Sequence, residues 1–375
     1  MNSRIAYCDY NATTPVRPAA AAALACALEA GGNPSSVHAA GRSAKAIVES
    51  ARESVGRAIG ARARDVIFTS GATEALHLAL DAARDSYGDL IVSEIEHDAL
   101  WEATRSAEEM APLRVTADGV VDLAHLDKLL EIAKRPLVAV MLANNETGVV
   151  QPIVKVATRV REAGGLLLVD ASQAVGRIPV DVAALDAAYL VVSSHKIGGP
   201  PGAGALVLAA GAPFAITRRG GGQEQGRRPG TENAPALAGF AAALDTDLIA
   251  ESARSTALRD RFETFLRLRH PDAVIFSEQA MRLPNTSLFA LPGAPAELAL
   301  IAMDLEGIAL SSGAACSSGK VKSSRVLAAM GVAPALAKSA LRASFGWASS
   351  EDDVDRLLAA LDRVRARLGE LECVG

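Results

Sequence analysis

The stretches LLLVDASQ (166–173) and VVSSHKIGGPPG (191–202) decide how this chain of 375 residues is read. Each opens as a short apolar run of the kind that forms a strand covered on both faces, and each ends in polar residues. The first leaves a carboxylate, Asp170, at its carboxyl end, and the second runs out into Ser193, Ser194, His195 and Lys196. From about residue 65 to 210 the same alternation recurs: VIFTS then GATEALHLALDAA, DLIVS then HDALWEATRSAEEM, PLVAVMLA then PIVKVATRVREAG, followed by LLLVD, AAYLVVS and GALVLA. Apolar runs alternating with helical patterns predict βα units, so an α/β chain around a mostly parallel sheet, with room for one reversed strand. Ligands of such sheets collect outside the carboxyl ends of the strands, where Asp170 and Lys196 fall.

A chain of this length exceeds what one core usually supports, so two lobes are expected. A helical pattern from about Pro235 to Leu268 leads to a second set, AVIFS, NTSLFAL, a helix through Glu297 to Leu305, IALSS and SALRASFGW. A last helix starts at Glu351, with Ser349 and Ser350 as candidate N-caps. The second set reads as a compact α+β lobe. Residues 16–250 are assigned to a large domain, and residues 1–15 with 251–375 to a smaller one.

Lys and Arg number 38 against 43 Asp and Glu, a net charge of −5, which gives no electrostatic case for nucleic acid or an anionic membrane. A small-molecule partner is expected. MNSRIAYCDYNATTP lacks the apolar centre of a signal peptide, and the uncharged, Gly-rich stretch Gly202 to Thr217 is too short to span a bilayer. The expectation is a soluble, cytoplasmic protein. Four cysteines without a CxxC pair suggest neither a disulfide framework nor a zinc site, and no metal is assigned. Cys8 and Cys26 read as small buried apolar residues, and Cys373 as a tail thiol.

An amine and a carboxylate at neighbouring strand ends suit pyridoxal phosphate, which needs a lysine for its Schiff base and an acid beside its ring nitrogen. Taken singly, a surface lysine and a solvated aspartate fit the same positions. Thr69-Ser70-Gly71-Ala72-Thr73-Glu74 carries a strand through a small-residue turn into a helix, an anion seat, although many such turns look alike. In the loop GGGQEQGRRPGTEN (220–233), Thr231 would complete a phosphate cup, unless the loop is a flexible linker. His97 is placed to stack on a ring and move protons, or to sit at a helix start on the surface. Asn145 and Gln173 offer amide donors for a ring oxygen, or form turns. Arg342 offers a planar fork to an amino-acid carboxylate, or serves structure. Cys316, in SSGAACSSGKVKSS (311–324), lies among residues that cannot pack a core, with Lys320 and Lys322 favouring its thiolate. It is a nucleophile or an incidental loop cysteine.

With these segments in view, the chain resembles, along nearly its whole length, the pyridoxal-phosphate-dependent cysteine desulfurases of the iron–sulfur assembly and nitrogen-fixation type. The resemblance is carried by YNATTP (10–15), GNPSSVHAAGR (32–42), TSGATEA (69–75), EHDA (96–99), NNETG (144–148), VDASQAVG (169–176), SSHKIGGP (193–200), the GGGQE and RPGTEN loop, SSGAACSSG (311–319) and LRASFG (341–346). It implies a fold-type-I homodimer with a seven-stranded sheet in the large domain, and the cysteine loop in the small one. Lys196 would be the Schiff-base lysine, Asp170 the ring-nitrogen partner and His97 the stacking acid–base residue. Gln173 and Asn145 would flank the ring oxygen, Ala72, Thr73, Ser193 and His195 would hold the phosphate, and Thr231 would reach in from the other subunit. Arg342, with Asn11 and Asn145, would bind the substrate, L-cysteine. Cys316 would accept its sulfur as a persulfide, L-alanine would leave, and a sulfur acceptor or iron–sulfur scaffold protein would follow. A selenocysteine lyase or aminotransferase on the same fold, and a non-catalytic sulfur carrier, are the competing readings. Two departures stand out: GGPPG (198–202) lacks the family's usual second lysine, and KVKSSRVL (320–327) is more basic than usual.

Overall fold

The computed structural model describes residues 5–108, 110–312 and 324–372. Seven strands form its main sheet: β1 Val66–Thr69, β2 Leu90–Ser93, β3 Met110–Leu113, β4 Leu137–Met141, β5 Leu166–Asp170, β6 Tyr189–Ser193 and β7 Gly204–Leu208. Their spatial order is β1-β7-β6-β5-β4-β2-β3. Only β7 runs against its neighbours, and every other pairing is parallel. The expected mostly parallel sheet with one reversed strand is therefore what the chain builds.

The near-continuous apolar runs follow from burial on both faces. Side chains alternate along each strand. Val138, Val140, Val169, Leu190 and Val192 enter one core with Val48, Val55, Val156 and Phe240. Ala139, Leu168, Val191 and Leu206 enter the opposite one with Leu76, Leu78 and Leu100. A smaller antiparallel sheet, β8 Val274–Ile275, β9 Thr286–Ala290 and β10 Ala340–Ser344, is ordered β10-β9-β8. Its core packs Phe262 edge-on to Phe289 and Phe345, at centroid separations of 5.2 and 6.1 Å. Each buried ring contributes about 1.5–3 kcal/mol by leaving water. The N-terminal segment joins this core: Ala6–Tyr7 pairs in parallel with Ile308–Ala309, and Ala6 and Cys8 are fully buried there.

Three local readings need correction. HDALWEATRSAEEM is not one helix, because the helix Asp98–Thr104 stops early and Met110–Leu113 is an edge strand. Pro112, which donates no ladder hydrogen bond, is tolerated at that edge and hides the strand from pattern reading. The pattern from Pro235 to Leu268 is two helices, Ala234–Leu244 and Leu248–Arg269, because Asp247 caps the second by accepting from the Ala250 amide at 3.0 Å. Cys26 is exposed, not buried: in the helix α1, Pro18–Ala30, only Ala20 and Ala27 are buried. A helix whose one charged residue is Glu29 has no polar stripe to reveal which face turns inward. Ser350 does cap the last helix: its hydroxyl accepts from the Asp353 amide, and the Asp353 carboxylate accepts from the Ser350 amide and hydroxyl, as in a capping box. Among the described residues no helix is long and apolar enough to cross a membrane.

The glycine-rich loop 220–233 is anchored at its centre. Arg52, in the helix α2, Ala39–Ala58, forms a bidentate ion pair with Glu224 at 2.7 and 3.0 Å, and both side chains are buried. Arg52 also donates to the Val66 carbonyl and lies 4.8 Å from the Phe68 ring centre, while Glu224 accepts from the Phe68 amide. Glu224 and Gln225 take left-handed backbone conformations to reach this position. Removing one partner of a buried pair strands the other charge. Glu224→Ala is therefore expected to cost about 3–5 kcal/mol in urea unfolding; a loss under about 1 kcal/mol would mean that water already solvates the pair.

Candidate active site

All of the large sheet's strands except β7 deliver their carboxyl ends to one edge, and a cavity of about 410 Å³ opens there. Asp170, at the end of β5, and Lys196, in the turn after β6, share its wall. Asp170 is 7% exposed and accepts from the Ser172 amide at 2.9 Å, which fixes the carboxylate toward the cavity. The Lys196 amine donates to the carbonyls of Asn11 and Ala12, each at 2.8 Å. Burial first, then the positive charges of Arg177 and Arg342, bring that amine down to about 8, against the pull of Asp170 and Asp9. A lysine held there is partly unprotonated near neutral pH, as a nucleophilic amine must be.

Where the chain turns from β1 into a helix, Ala72 and Thr73 line the same cavity, with Ser193. Ala72 and Thr73 open the helix α3, Ala72–Ala83, whose first-turn amides have no acceptor within the helix. Gly71 precedes them at φ 152°, and Gly204 lies so near that an added Cβ there would stand 2.7 Å from the Gly71 backbone. Only glycine lets these two backbones approach. The hydroxyls of Ser193 and of Ser172, which also lines the cavity, are buried without a partner. Orphan amides and hydroxyls converging beside a helix N-terminus match a phosphate group. The donor set and the Asp170–Lys196 pair thus fit pyridoxal phosphate.

Glu74 closes this end. It accepts from the Ser70 amide and hydroxyl at 2.7 Å, and from Arg218 and Arg228 at 2.9 to 3.1 Å. Burial pushes its carboxyl up, but the hydrogen bonds from Arg228 and Ser70 outweigh it and hold the group at about 2. The turn is thereby tied to the loop 220–233.

His97 and Asn145 line the cavity, with His195 and Gln173. His97 is at once the N-cap of the helix Asp98–Thr104 and a cavity residue: its Nδ1 accepts from the Ala99 amide at 3.1 Å, so Nε2 carries the proton of the neutral ring. His195 bonds Thr13 at 2.6 Å, and burial, then the charges of Lys196, Arg177 and His97, lower it to about 4. Gln173 donates to the Asn11 carbonyl at 3.0 Å.

Three of the sequence-selected residues do not reach this wall. Arg342 is buried, donating to the Asn145 carbonyl at 2.8 Å and to Asp9 at 2.6 Å, with its Nε unpartnered. The Asn11 side chain is committed internally, to the Asn145 carbonyl, Thr286 and Asn285. Thr231 is exposed and lines no part of the cavity. Cys316, Lys320, Lys322 and Cys373 lie outside the described residues. Two residues escaped the sequence reading. Arg177 hides in a turn with no motif of its own, and Glu96, immediately before His97, is buried with its carboxyl pushed well above the usual range, chiefly by burial and by Asp170, despite accepting from the Met141 amide at 2.7 Å. A carboxylate beside a candidate catalytic histidine was the available signal for Glu96.

Residues 6–357 match the family model described as Aminotransferase class-V. An IscS-like cysteine desulfurase of Mycobacterium tuberculosis is 37% identical over 390 residues, covering 99% of this chain and 99% of its own. A cysteine desulfurase of Trichormus azollae is 36% identical over 378 residues, covering 98% of this chain and 94% of its own. Among solved structures, a NifS-like protein from Rickettsia africae superposes with a TM-score of 0.90 at 33% identity, covering 97% of this chain and all of its own.

The low value of His195 makes a pH prediction. Its ordinary value of 6.5 exceeds the folded value of about 4, so the unfolded chain binds the extra proton in that window. His195 therefore contributes stability that is complete above about pH 6.5 and is lost as pH falls toward about 4. A heteronuclear NMR titration should show its ring neutral throughout pH 5.5–8; a midpoint near 6.5 would refute the assignment.

Proposed function

This chain belongs to the class-V aminotransferase family, whose members work with pyridoxal 5′-phosphate, and from that premise we propose that it is a cysteine desulfurase converting L-cysteine to L-alanine. The observation that carries the reading is the pairing of the Lys196 amine with the Asp170 carboxylate on one cavity wall. Bound there, pyridoxal phosphate supplies an electron sink for the charge released at the substrate's α-carbon. Lys196 is the residue to hold its aldehyde and Asp170 to keep its ring nitrogen protonated. Ala72, Thr73, Ser193 and His195 take the phosphate, and Gln173 and Asn145 flank the ring oxygen.

The residues then divide the work. Arg342 holds the substrate carboxylate beside Asn145, its buried unpartnered Nε being the donor left to offer, while Asn11 sets the backbone carbonyl on which Lys196 rests. The Lys196 Nζ takes the α-proton, a transfer suited to an amine near neutrality. His97 Nε2 moves a second proton at the ring face. The Cys316 thiolate attacks the substrate's sulfur: the new sulfur–sulfur bond forms as the carbon–sulfur bond breaks, leaving a persulfide on Cys316 and, after protonation, L-alanine. The persulfide passes to a sulfur acceptor or iron–sulfur scaffold protein in the cytoplasm. We also read the chain as a homodimer, because Thr231 is exposed and absent from its own cavity, as a residue serving a partner's site would be.

Two variants test the proposal. Lys196→Ala should abolish turnover and the yellow colour lost on borohydride reduction, while Cys316→Ala should keep the colour but lower sulfide release from L-cysteine by at least about 100-fold. If Cys316→Ala still releases sulfide at the wild-type rate, a lyase without a cysteine acceptor replaces this reading.

A further inference from the structure

We propose that Arg177 is a positioning residue of this reaction, a buried cation without a carboxylate partner that fixes the Gln173 amide and keeps the Lys196 amine ready to react; the proposal rests on the reading of Lys196 given above. Arg177 is 8% exposed and follows the turn at the carboxyl end of β5. Its hydrogen bonds go to neutral groups. One terminal nitrogen donates to the carbonyl of Gln173 at 3.1 Å and to the Gln173 side-chain oxygen; the other donates to the carbonyls of Tyr10 at 3.2 Å and Lys196 at 3.3 Å.

Among the described residues the other buried arginines, Arg52 and Arg342, pair with the acids Glu224 and Asp9, and the half-buried Arg17 and Arg282 pair with Glu251 and Glu263. Among the described residues Arg177 has no carboxylate at ion-pair distance. Glu251, the acid that lines the same crevice, is already held in both oxygens by Arg17. Folding around an unpaired guanidinium is unfavourable. Stability alone gives no reason to keep it.

The catalytic groups do. Accepting from Arg177 turns the Gln173 oxygen away from the cavity wall's amine side, so its Nε2 donates to the Asn11 carbonyl that also receives the Lys196 amine at 2.8 Å. The titratable and charged groups that act on that amine are Asp170 from β5, Asp9 from the N-terminal segment, Arg342 from β10, Arg177 from the turn after β5 and the neighbouring His195. After burial, Arg177 is the strongest influence holding the amine at about 8, with Arg342 next and the two aspartates opposing. Without Arg177 the aspartates would favour the ammonium.

The test follows the reactivity of one lysine against pH. The full-length protein, stripped of coenzyme, is treated with pyridoxal 5′-phosphate and cyanoborohydride, and labelled Lys196 is counted by peptide mass spectrometry. Wild type should show a midpoint near about 8. Arg177→Gln should move it up by about one unit, a fall of about ten-fold in labelling rate at pH 7. Arg177→Lys, which keeps the charge but not the fork, should restore it. A wild-type midpoint near 10.5, or an unmoved midpoint in folded Arg177→Gln, would overturn the proposal. Should Arg177→Gln fail to fold, the double variant Arg177→Met with Gln173→Leu removes charge and side-chain acceptor together and is read in the same way. Labelling of a different lysine in wild type would instead sink the functional reading on which this one rests.

Discussion

The structure turns on the placing of positive charge at the carboxyl edge of a sheet that excludes water. Lys196, Arg177 and Arg342 converge there, opposed by Asp170 and by Asp9, which is itself paired with Arg342. Such an arrangement is unfavourable in an empty, dry cavity and favourable once an anion arrives. A phosphate at the α3 end and a carboxylate at the Arg342 end are the two anions that the proposed reaction brings. Burial first, and then this excess charge, lower the Lys196 amine toward neutrality, so that the same buried charges serve binding and proton transfer together.

Precision at this edge comes from a short piece of chain far away in sequence. Residues 9–17 cross from the core around Phe262 to the mouth of the cavity, where Thr14 donates to the His195 and Lys196 carbonyls and Arg17 donates to the Gly198 carbonyl. Asn11 binds Asn285, Thr286 and Asn145 in one cluster, and its carbonyl meets Lys196 and Gln173. The two-lobe division that we propose near residue 250 thus has the active cavity stitched across it. Glu74 and Glu224 do for the loop 220–233 what Asn11 does for the lysine: each accepts several donors and fixes glycine-rich backbone.

The sequence made the sheet legible wherever burial on both faces left an uninterrupted apolar run. It failed at Met110–Leu113, where an edge strand needs neither length nor an apolar pattern and tolerates Pro112. Asp170 and Lys196 were legible because few chemistries need that pair at adjacent strand ends. His97 was left between a ring-stacking proton carrier and a surface histidine at a helix start; the structure makes it a helix cap that also lines the cavity. Arg342 and Asn11 could be named but not placed, since their hydrogen bonds depend on Asp9, Asn145 and Asn285, which only the folded chain brings near. Arg177 was invisible, because an arginine gains meaning from the absence of an acid, and absence is a property of the fold.

A crystal structure of the full chain grown with pyridoxal 5′-phosphate tests most directly whether Lys196 and Asp170 grip opposite sides of the same coenzyme, as we propose. Continuous density is expected from the coenzyme to the Lys196 Nζ, with the ring nitrogen at hydrogen-bond distance from the Asp170 carboxylate. Density joined to another amine, or a ring nitrogen facing away from Asp170, would contradict it.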